Sequence, residues 1–263
     1  MKIRTKIKKG FTLVELLVVI AIMASLGAVG YVGVLAFMNA GDKQAAGANI
    51  KQVGTALTNF QRDFGSFPDD QSANSKKMER WSNDCGSELS GDTSNAYLRQ
   101  LFRKKGAVSE ANFYAKLPGM VEGDDKIKSG ACLEPGECAF AYVIRKPDET
   151  AEAKPSKRKG AKAAEPAGGV KKSVPSSRGT CPILFCCIKS DNQPISGEAL
   201  TFDMEPFSEY AIMYTTDGKL VALEDEKIEV DEGDTTTGRL HPDYNPFPEG
   251  DDPSKFFILP PAR

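Results

Sequence analysis

Apolar residues dominate one long segment near the start of the chain. Residues 16–40 read LLVVIAIMASLGAVGYVGVLAFMNA and contain no charged side chain. As an α-helix, residues 16–38 would rise about 34 Å, enough to cross the roughly 30 Å hydrocarbon core of a bilayer. The pattern predicts a membrane-spanning helix over residues 11–40.

The helical period continues beyond this segment, but on one face only. Apolar residues recur there at alternating spacings of three and four, which is typical of an amphipathic helix. Gly65 and Pro68 follow the last of them, and both residue types commonly follow a helix C-terminus. We therefore predict that residues 41–65 form an amphipathic helix continuous with the first. Its apolar stripe consists of Ile50, Val53, Leu57, Phe60 and Phe64.

The remaining residues, 66–263, carry the strand and turn signals of a globular head. The dipeptide Asp217-Gly218 lies between two apolar runs and predicts a hairpin turn. The pattern predicts an α+β fold in which the long N-terminal helix packs on an antiparallel sheet of about four strands. The predicted strands are residues 139–145, 183–189, 209–216 and 219–223, and a short helix is predicted over 96–105.

Residues 146–179 differ in composition from the rest of the head. They are rich in Lys, Ala, Pro, Gly and Ser and have almost no large apolar residue, so we predict a flexible basic insertion. An arm that binds a polyanion is one interpretation of its positive charge. A solvated hairpin insertion is the simpler interpretation, and the one we favour.

Charge is distributed asymmetrically along the chain. The first ten residues, MKIRTKIKKG, carry five basic side chains and no acidic one. Without them, the formal net charge falls from −2 to −7, so we expect no nucleic acid partner. The basic end instead predicts a cytoplasmic N-terminus, with everything after the apolar segment outside the membrane.

A motif lies where the basic segment meets the apolar one. Residues 9–16 read KGFTLVEL, which places Gly10 before an aromatic residue, Phe11, and Glu15 four residues further on. An ordinary secretory signal would need a small-x-small cleavage site after the apolar run. A plain signal anchor would explain the basic flank but not Glu15, because a carboxylate is costly in apolar surroundings. The motif resembles the signature of type IV pilin-like prepilins.

The resemblance implies how the N-terminus is processed. Residues 1–10 would be a leader peptide, which prepilin peptidase removes by cutting between Gly10 and Phe11 before it methylates the new Phe11 amine. In an assembled filament, Glu15 would neutralise the Phe11 amine of a neighbouring subunit. Residues 11–40 would then form the filament core.

The resemblance also implies partners and a location. The chain would be a bacterial inner-membrane protein with one membrane span and a periplasmic head at residues 66–263, in the pilin-like lollipop arrangement. Its partners would be prepilin peptidase, other copies of itself, related pilin-like subunits and the inner-membrane assembly platform. It would assemble into a periplasmic or surface filament.

Two features favour a pseudopilin of a type II secretion-like system. The sequence FGSFP at residues 64–68 resembles the segment that follows this helix in pseudopilins. Many type IV pilins have a disulfide near the C-terminus, whereas no cysteine follows Cys187 here. A type IV pilin, serving adhesion, motility or DNA uptake, and a membrane-tethered binding domain remain as alternatives.

The six cysteines all follow the apolar segment, which suits an oxidising compartment. Six cysteines allow 15 pairings. Cys132 and Cys138 flank the short sequence LEPGE, so we predict a disulfide between them. Cys186 and Cys187 are adjacent on a predicted strand, so we expect their side chains to point to opposite faces.

Candidate metal ligands and catalytic groups are few. An acidic loop contains Asp225, Asp231 and Asp234, which are candidate calcium ligands, although the spacing is not that of an EF-hand and a solvated loop is favoured. His241 is the only histidine, and no serine lies in a G-x-S-x-G sequence. We expect no enzymatic activity and no cofactor other than this calcium.

Overall fold

The computed structural model describes residues 12–80, 88–102, 108–127, 132–146, 171–174, 180–189, 191–207, 210–231 and 233–262. It does not describe the side chains of residues 27–36, 225, 231 and 235. The chain divides into two compact units, residues 1–41 and residues 42–263.

The first element is a single long helix, α1, which spans Leu13–Phe64. The C-terminal end of α1 lies where the sequence predicts it. Gly65 follows with a φ of +85°, and its N–H donates to the carbonyl oxygen of Gln61 at 2.7 Å. Glycine reaches this left-handed conformation without strain, which explains why the helix ends here.

The apolar stripe in the second half of α1 lies in the core, as predicted. Ile50, Val53, Leu57 and Phe60 are completely buried. Phe64 is half-buried and stacks on Phe60, with ring centroids 4.3 Å apart. Each fully buried side chain of this size contributes roughly 2 kcal/mol of hydrophobic free energy.

The main sheet has seven antiparallel strands, of which six follow the order β4-β10-β1-β3-β6-β7 while β2 also pairs with β1. In the register, Tyr142 of the central strand β1 lies opposite Leu259 on one side and Leu184 on the other. The strands are β1 (Phe140–Arg145), β2 (Lys172–Ser173), β3 (Pro182–Cys186), β4 (Ile195–Ser196), β6 (Ala211–Thr215), β7 (Leu220–Leu223) and β10 (Phe256–Leu259).

A second sheet has three antiparallel strands in the order β5-β9-β8. A single bridge between Ile188 and Phe202 connects β5 to the residues just after β3. The strands are β5 (Thr201–Asp203), β8 (Ile228–Asp231) and β9 (Asp234–Leu240).

Short helical elements lie between α1 and β1, and further 3₁₀ turns lie between the later strands. The predicted helix over 96–105 begins two residues earlier, and its described part continues as a 3₁₀ turn. The helices are α2 (Asp70–Ala73), α3 (Lys76–Arg80) and α4 (Ser94–Leu98), and the 3₁₀ turns are Arg99–Leu101, Glu110–Phe113, Gly197–Ala199, Asp225–Lys227 and Pro253–Lys255.

The observed fold is α+β, as predicted, and four observed strands, β1, β3, β6 and β7, match the predicted ones. The predicted hairpin is also present, with Gly218 at a φ of +85° in its turn. The prediction of about four strands is too low, because further short strands of two to seven residues complete both sheets. The insertion also contributes a strand, β2, although its residues 147–170 and 175–179 lie outside the described part of the chain.

Candidate functional site

The start of α1 is closed by a reciprocal pair of hydrogen bonds. Glu15 Oε2 accepts from the backbone N–H of Thr12 and from its hydroxyl, both at 2.8 Å. In return, the Glu15 N–H donates to Thr12 Oγ1 at 3.3 Å. This is a capping box, in which a Thr N-cap and a Glu three residues later satisfy each other's backbone donors. Glu15 therefore has a polar partner within its own chain, which the sequence reasoning missed although T-x-x-E is a recognised helix-start signal.

After the capping box, the first part of α1 exposes an apolar surface. Among the described residues, none covers it. Ten large apolar side chains between residues 13 and 26 are between 45% and 79% exposed. A contiguous exposed apolar surface of this kind marks a site that another protein or a lipid phase covers. These residues are Leu13, Val14, Leu16, Leu17, Val18, Val19, Ile20, Ile22, Met23 and Leu26.

None of the described helical stretches combines the length and apolarity that a membrane crossing requires. The predicted span over residues 11–40 is therefore not confirmed and stays a prediction. The predicted cleavage site stays one as well, because Gly10 and Phe11 lie outside the described residues.

The predicted disulfide between Cys132 and Cys138 is wrong. Cys138 is a free, buried thiol whose Sγ lies 3.4 Å from the carbonyl oxygen of Phe140, whereas Cys132 is disulfide-bonded. Hydrogen bonds close the loop instead. The N–H of Glu134 donates to Glu137 Oε2 at 2.7 Å, and the N–H of Glu137 donates to the Glu134 carbonyl at 3.1 Å.

The expected arrangement of Cys186 and Cys187 is also wrong. Strand β3 ends at Cys186, and Cys187 adopts a left-handed conformation with a φ of +68°. The strand alternation therefore stops between them, and the two Sγ atoms lie 3.7 Å apart. Burial raises the pKa of the Cys187 thiol, as it raises the pKa of Cys181 to about 12, so these thiols are protonated and unreactive.

The candidate calcium ligands of the acidic loop are not brought together by any described contact. Asp234 begins β9, and its carboxylate accepts hydrogen bonds from Thr236 and Thr237. These hydrogen bonds lower the pKa of Asp234 to about 2. The structure does not describe the side chains of Asp225 and Asp231. Calcium binding by these three residues therefore stays a prediction.

A different acidic cluster is present near the start of β1. One carboxylate oxygen from each of Glu110, Asp124 and Glu137 lies within 4.8 Å of the other two. We call these three residues the acidic cluster. No sequence pattern predicts it, because its members come from three separate loop segments with no common spacing.

A comparison with known protein families finds a match in the N-terminal part of the chain. Residues 5–31 match the prokaryotic N-terminal methylation motif. No curated protein and no solved structure matches the chain. The matched segment contains Gly10, Phe11 and Glu15. The match supports a type IV pilin-like prepilin, a substrate of prepilin peptidase that assembles with pilin-like subunits in a membrane-anchored filament.

Proposed function

We propose that the chain is a pseudopilin subunit of a type II secretion-like filament. Cleavage between Gly10 and Phe11 produces the mature subunit, and the exposed apolar helix then packs against other subunits. The observation that carries this proposal is the methylation motif at residues 5–31, which includes the uncovered apolar start of α1. A membrane-tethered binding domain with a plain anchor would need the apolar helix but not the motif.

The choice of pseudopilin over pilin rests on the C-terminus. The last strand, β10, is held by pairing with β1 and β4 along the sheet, and no cysteine follows Cys187. Residues 188–263 therefore hold no disulfide of the kind found near the C-terminus of many type IV pilins. Deletion of the gene that encodes this chain should block export of a folded protein from the host cell. Loss of a surface filament with export intact would assign the chain to the type IV pilins instead.

In this proposal the subunit first resides in the inner membrane, with residues 11–40 as its single span and the head in the periplasm. Five basic residues on the leader keep the N-terminus in the cytoplasm. The peptidase removes these charges together with the leader. The remaining charges near the end of the helix are then the new Phe11 amine and Glu15.

Glu15 has a distinct role in each state of the subunit. In the isolated chain, Oε2 completes the capping box with Thr12. A carboxylate has lone pairs for several donors, so the other oxygen can accept the Phe11 amine of a neighbouring subunit while the capping box stays intact. Pairing two charges in apolar surroundings removes the cost of leaving each one alone and fixes the axial position of the subunits.

The test compares Glu15→Leu with Thr12→Val in the same cells. Glu15→Leu should reach the membrane and be cleaved normally, because the cleaved bond is untouched, yet the sheared filament yield should fall by at least tenfold. Thr12→Val removes the side-chain part of the capping box but keeps the carboxylate, so filament yield should stay within about twofold of wild type. Glu15→Asp should be intermediate, because it shortens the reach of the charge.

Two outcomes would contradict the proposal. If Glu15→Leu assembled as well as wild type, Glu15 would have no role between subunits. If Thr12→Val lost filaments as completely as Glu15→Leu, the carboxylate would act through the helix cap alone.

A further inference from the structure

The acidic cluster has the dimensions of a cation site. Glu110 begins a 3₁₀ turn, Asp124 lies in the loop that follows it, and Glu137 ends the tight turn before β1. Their carboxylate oxygens lie within 4.8 Å of one another. Two oxygen ligands on opposite sides of one Ca²⁺ ion are separated by about 4.6–5.2 Å, because each Ca²⁺–O bond is 2.3–2.6 Å long. A single Ca²⁺ ion can therefore reach all three carboxylates.

Glu110 provides an independent indication of a ligand. Its side chain is completely buried, and Oε1 accepts a hydrogen bond from the N–H of Leu133 at 2.9 Å. Among the described residues, no donor reaches Oε2, which is also buried. A buried carboxylate oxygen without a partner is costly, so such an atom indicates a missing ligand or proton. Burial raises the pKa of Glu110, and the nearby Glu137 raises it further.

The backbone holds the carboxylates close together. Gly123 approaches Glu110 so closely that a Cβ atom at this position would lie 2.3 Å from the Glu110 Cβ. Asp125 fixes the same contact, because its Oδ1 accepts the N–H of Glu110 at 2.8 Å. Glu137 is only 6% exposed and is held by its hydrogen bond from the Glu134 N–H. Glu110 and Glu137 therefore cannot move apart without disrupting these contacts.

Among the described residues, Lys126 places a positive charge at the exposed side of the cluster. Lys126 Nζ is 2.5 Å from Asp124 Oδ2, and both side chains are substantially exposed. Because both side chains are exposed, this ion pair contributes little net free energy. Asp124 can therefore exchange Lys126 for a cation shared with Glu110 and Glu137.

We propose that Glu110, Asp124 and Glu137 bind Ca²⁺. The three ligands are all carboxylates, which favour a hard cation over zinc or copper. Ca²⁺ accepts such a set without the strict octahedral geometry that Mg²⁺ demands. This proposal is independent of filament assembly and of the acidic loop that contains Asp234.

The ion would connect the head to α1. Asn49 of α1 donates to the carbonyl oxygens of Ala111 and Tyr114, at 3.3 Å and 2.8 Å, immediately after Glu110. On the other side of the cluster, the N–H of Gly136 donates to the carbonyl oxygen of Ala262 near the C-terminus. Ca²⁺ would thus hold together the 3₁₀ turn packed on α1 and the turn that receives the C-terminus.

The test uses the full chain in detergent, stripped with EGTA and titrated with Ca²⁺ while thermal unfolding is followed. Ca²⁺ should raise the Tm of the wild type saturably, and the same concentration of Mg²⁺ should raise it much less. Glu110→Gln and Glu137→Gln should each weaken Ca²⁺ binding at least tenfold. Asp124→Asn should do the same without any risk to folding, because Asp124 is exposed.

Matched controls separate this site from its alternatives. Glu134→Gln removes a carboxylate from the same turn and Asp234→Asn one from the acidic loop, and both should keep the full Ca²⁺ response. Lys126→Met should bind Ca²⁺ at least as tightly as the wild type, because it removes a competitor. Without Ca²⁺, Glu110→Gln should unfold at or above the wild-type Tm, because a neutral amide replaces a buried charge.

Several results would overturn the proposal. The proposal would be wrong if Ca²⁺ did not change the Tm of the wild type, or if Glu110→Gln kept the full Ca²⁺-dependent rise in Tm. It would also be wrong if only Asp234→Asn lost that rise. A Ca²⁺-free Glu110→Gln that unfolds well below the wild type would also overturn it, because Glu110 would then stabilise the head without an ion.

Discussion

Gly54 is where the packing of α1 on the sheet can be tested most sharply. A Cβ atom at Gly54 would lie 2.1 Å from Cε1 of Tyr214, on β6, and 2.3 Å from Cζ of the same ring. Ordinary carbon contacts are 3.4–4 Å, so the ring would have to move by more than 1 Å. Tyr214 is almost completely buried in the sheet face that α1 covers. Gly54→Ala should therefore destabilise the head, although alanine favours helices.

The size of the effect follows from two opposing contributions. Replacing glycine by alanine inside a helix stabilises it by about 1 kcal/mol. Overpacking a well-packed core costs typically about 1–3 kcal/mol, and a displaced aromatic ring lies at the upper end. The net expectation for Gly54→Ala is a loss of about 2 kcal/mol in the free energy of unfolding.

Gly47→Ala is the matched control on the same helix. A Cβ atom there would lie 3.3 Å from Cδ2 of Leu220, the end of an exposed and flexible side chain that can give way. This variant should keep most of the helix stabilisation, about 0.5–1 kcal/mol. The two variants should thus differ by about 2.5–3 kcal/mol despite the identical substitution.

Urea unfolding of the full chain in detergent, followed by near-ultraviolet circular dichroism, measures this difference. The midpoint should fall for Gly54→Ala and rise slightly for Gly47→Ala, with unchanged slope. A double mutant with Tyr214→Ala should show a favourable coupling energy of about 3 kcal/mol, because Gly54→Ala then avoids the clash and keeps its helix stabilisation of about 1 kcal/mol. Equal stability of the two single variants would refute the close packing of Gly54 on Tyr214.

Two further predictions concern covalent and electrostatic features of the head. Four cysteines are buried thiols, so the remaining one in the sequence, Cys85, should be the partner of Cys132. Non-reducing peptide mapping should show this link, and a linked Cys132–Cys138 peptide would contradict it. In the β6–β7 turn, hydrogen bonds from Lys219 and Thr215 lower the pKa of Asp217 from 3.8 to about 2. The resulting stability is present above pH 3.8 and is lost as the pH falls through 2, so Asp217→Asn should destabilise the head by less than about 1 kcal/mol at pH 7. A pH titration of unfolding should show this difference disappearing near pH 2, and a difference that persisted there would contradict the assignment.

The helical part of the fold could be predicted because its periodicity is long and regular. The spacing of Ile50, Val53, Leu57 and Phe60 identified the buried face of α1, and Gly65 identified its end. Strand β10 was missed although Phe256–Leu259 is apolar, because a run of four residues is too short to show a period. Strand β8 was missed because Ile228 and Val230 alternate with acidic residues over only four positions. Strand β9 was missed because only one of its seven residues, Leu240, is a large apolar one.

Local sites could be read from the sequence, whereas sites assembled by the tertiary fold could not. The capping box of Thr12 and Glu15 is local, so the sequence contains it fully. The disulfide prediction failed because the closeness of Cys132 and Cys138 along the chain does not determine where their Sγ atoms point. The acidic cluster could not be predicted at all, because the tertiary fold alone brings its loops together.

Processing by prepilin peptidase at the start of the apolar helix is the step on which the proposed function of this chain depends. The most direct measurement is the intact mass and N-terminal sequence of the protein purified from membranes of cells that carry the peptidase. We predict loss of MKIRTKIKKG and a methylated Phe11 as the first residue. Recovery of the intact leader from those cells would contradict this prediction.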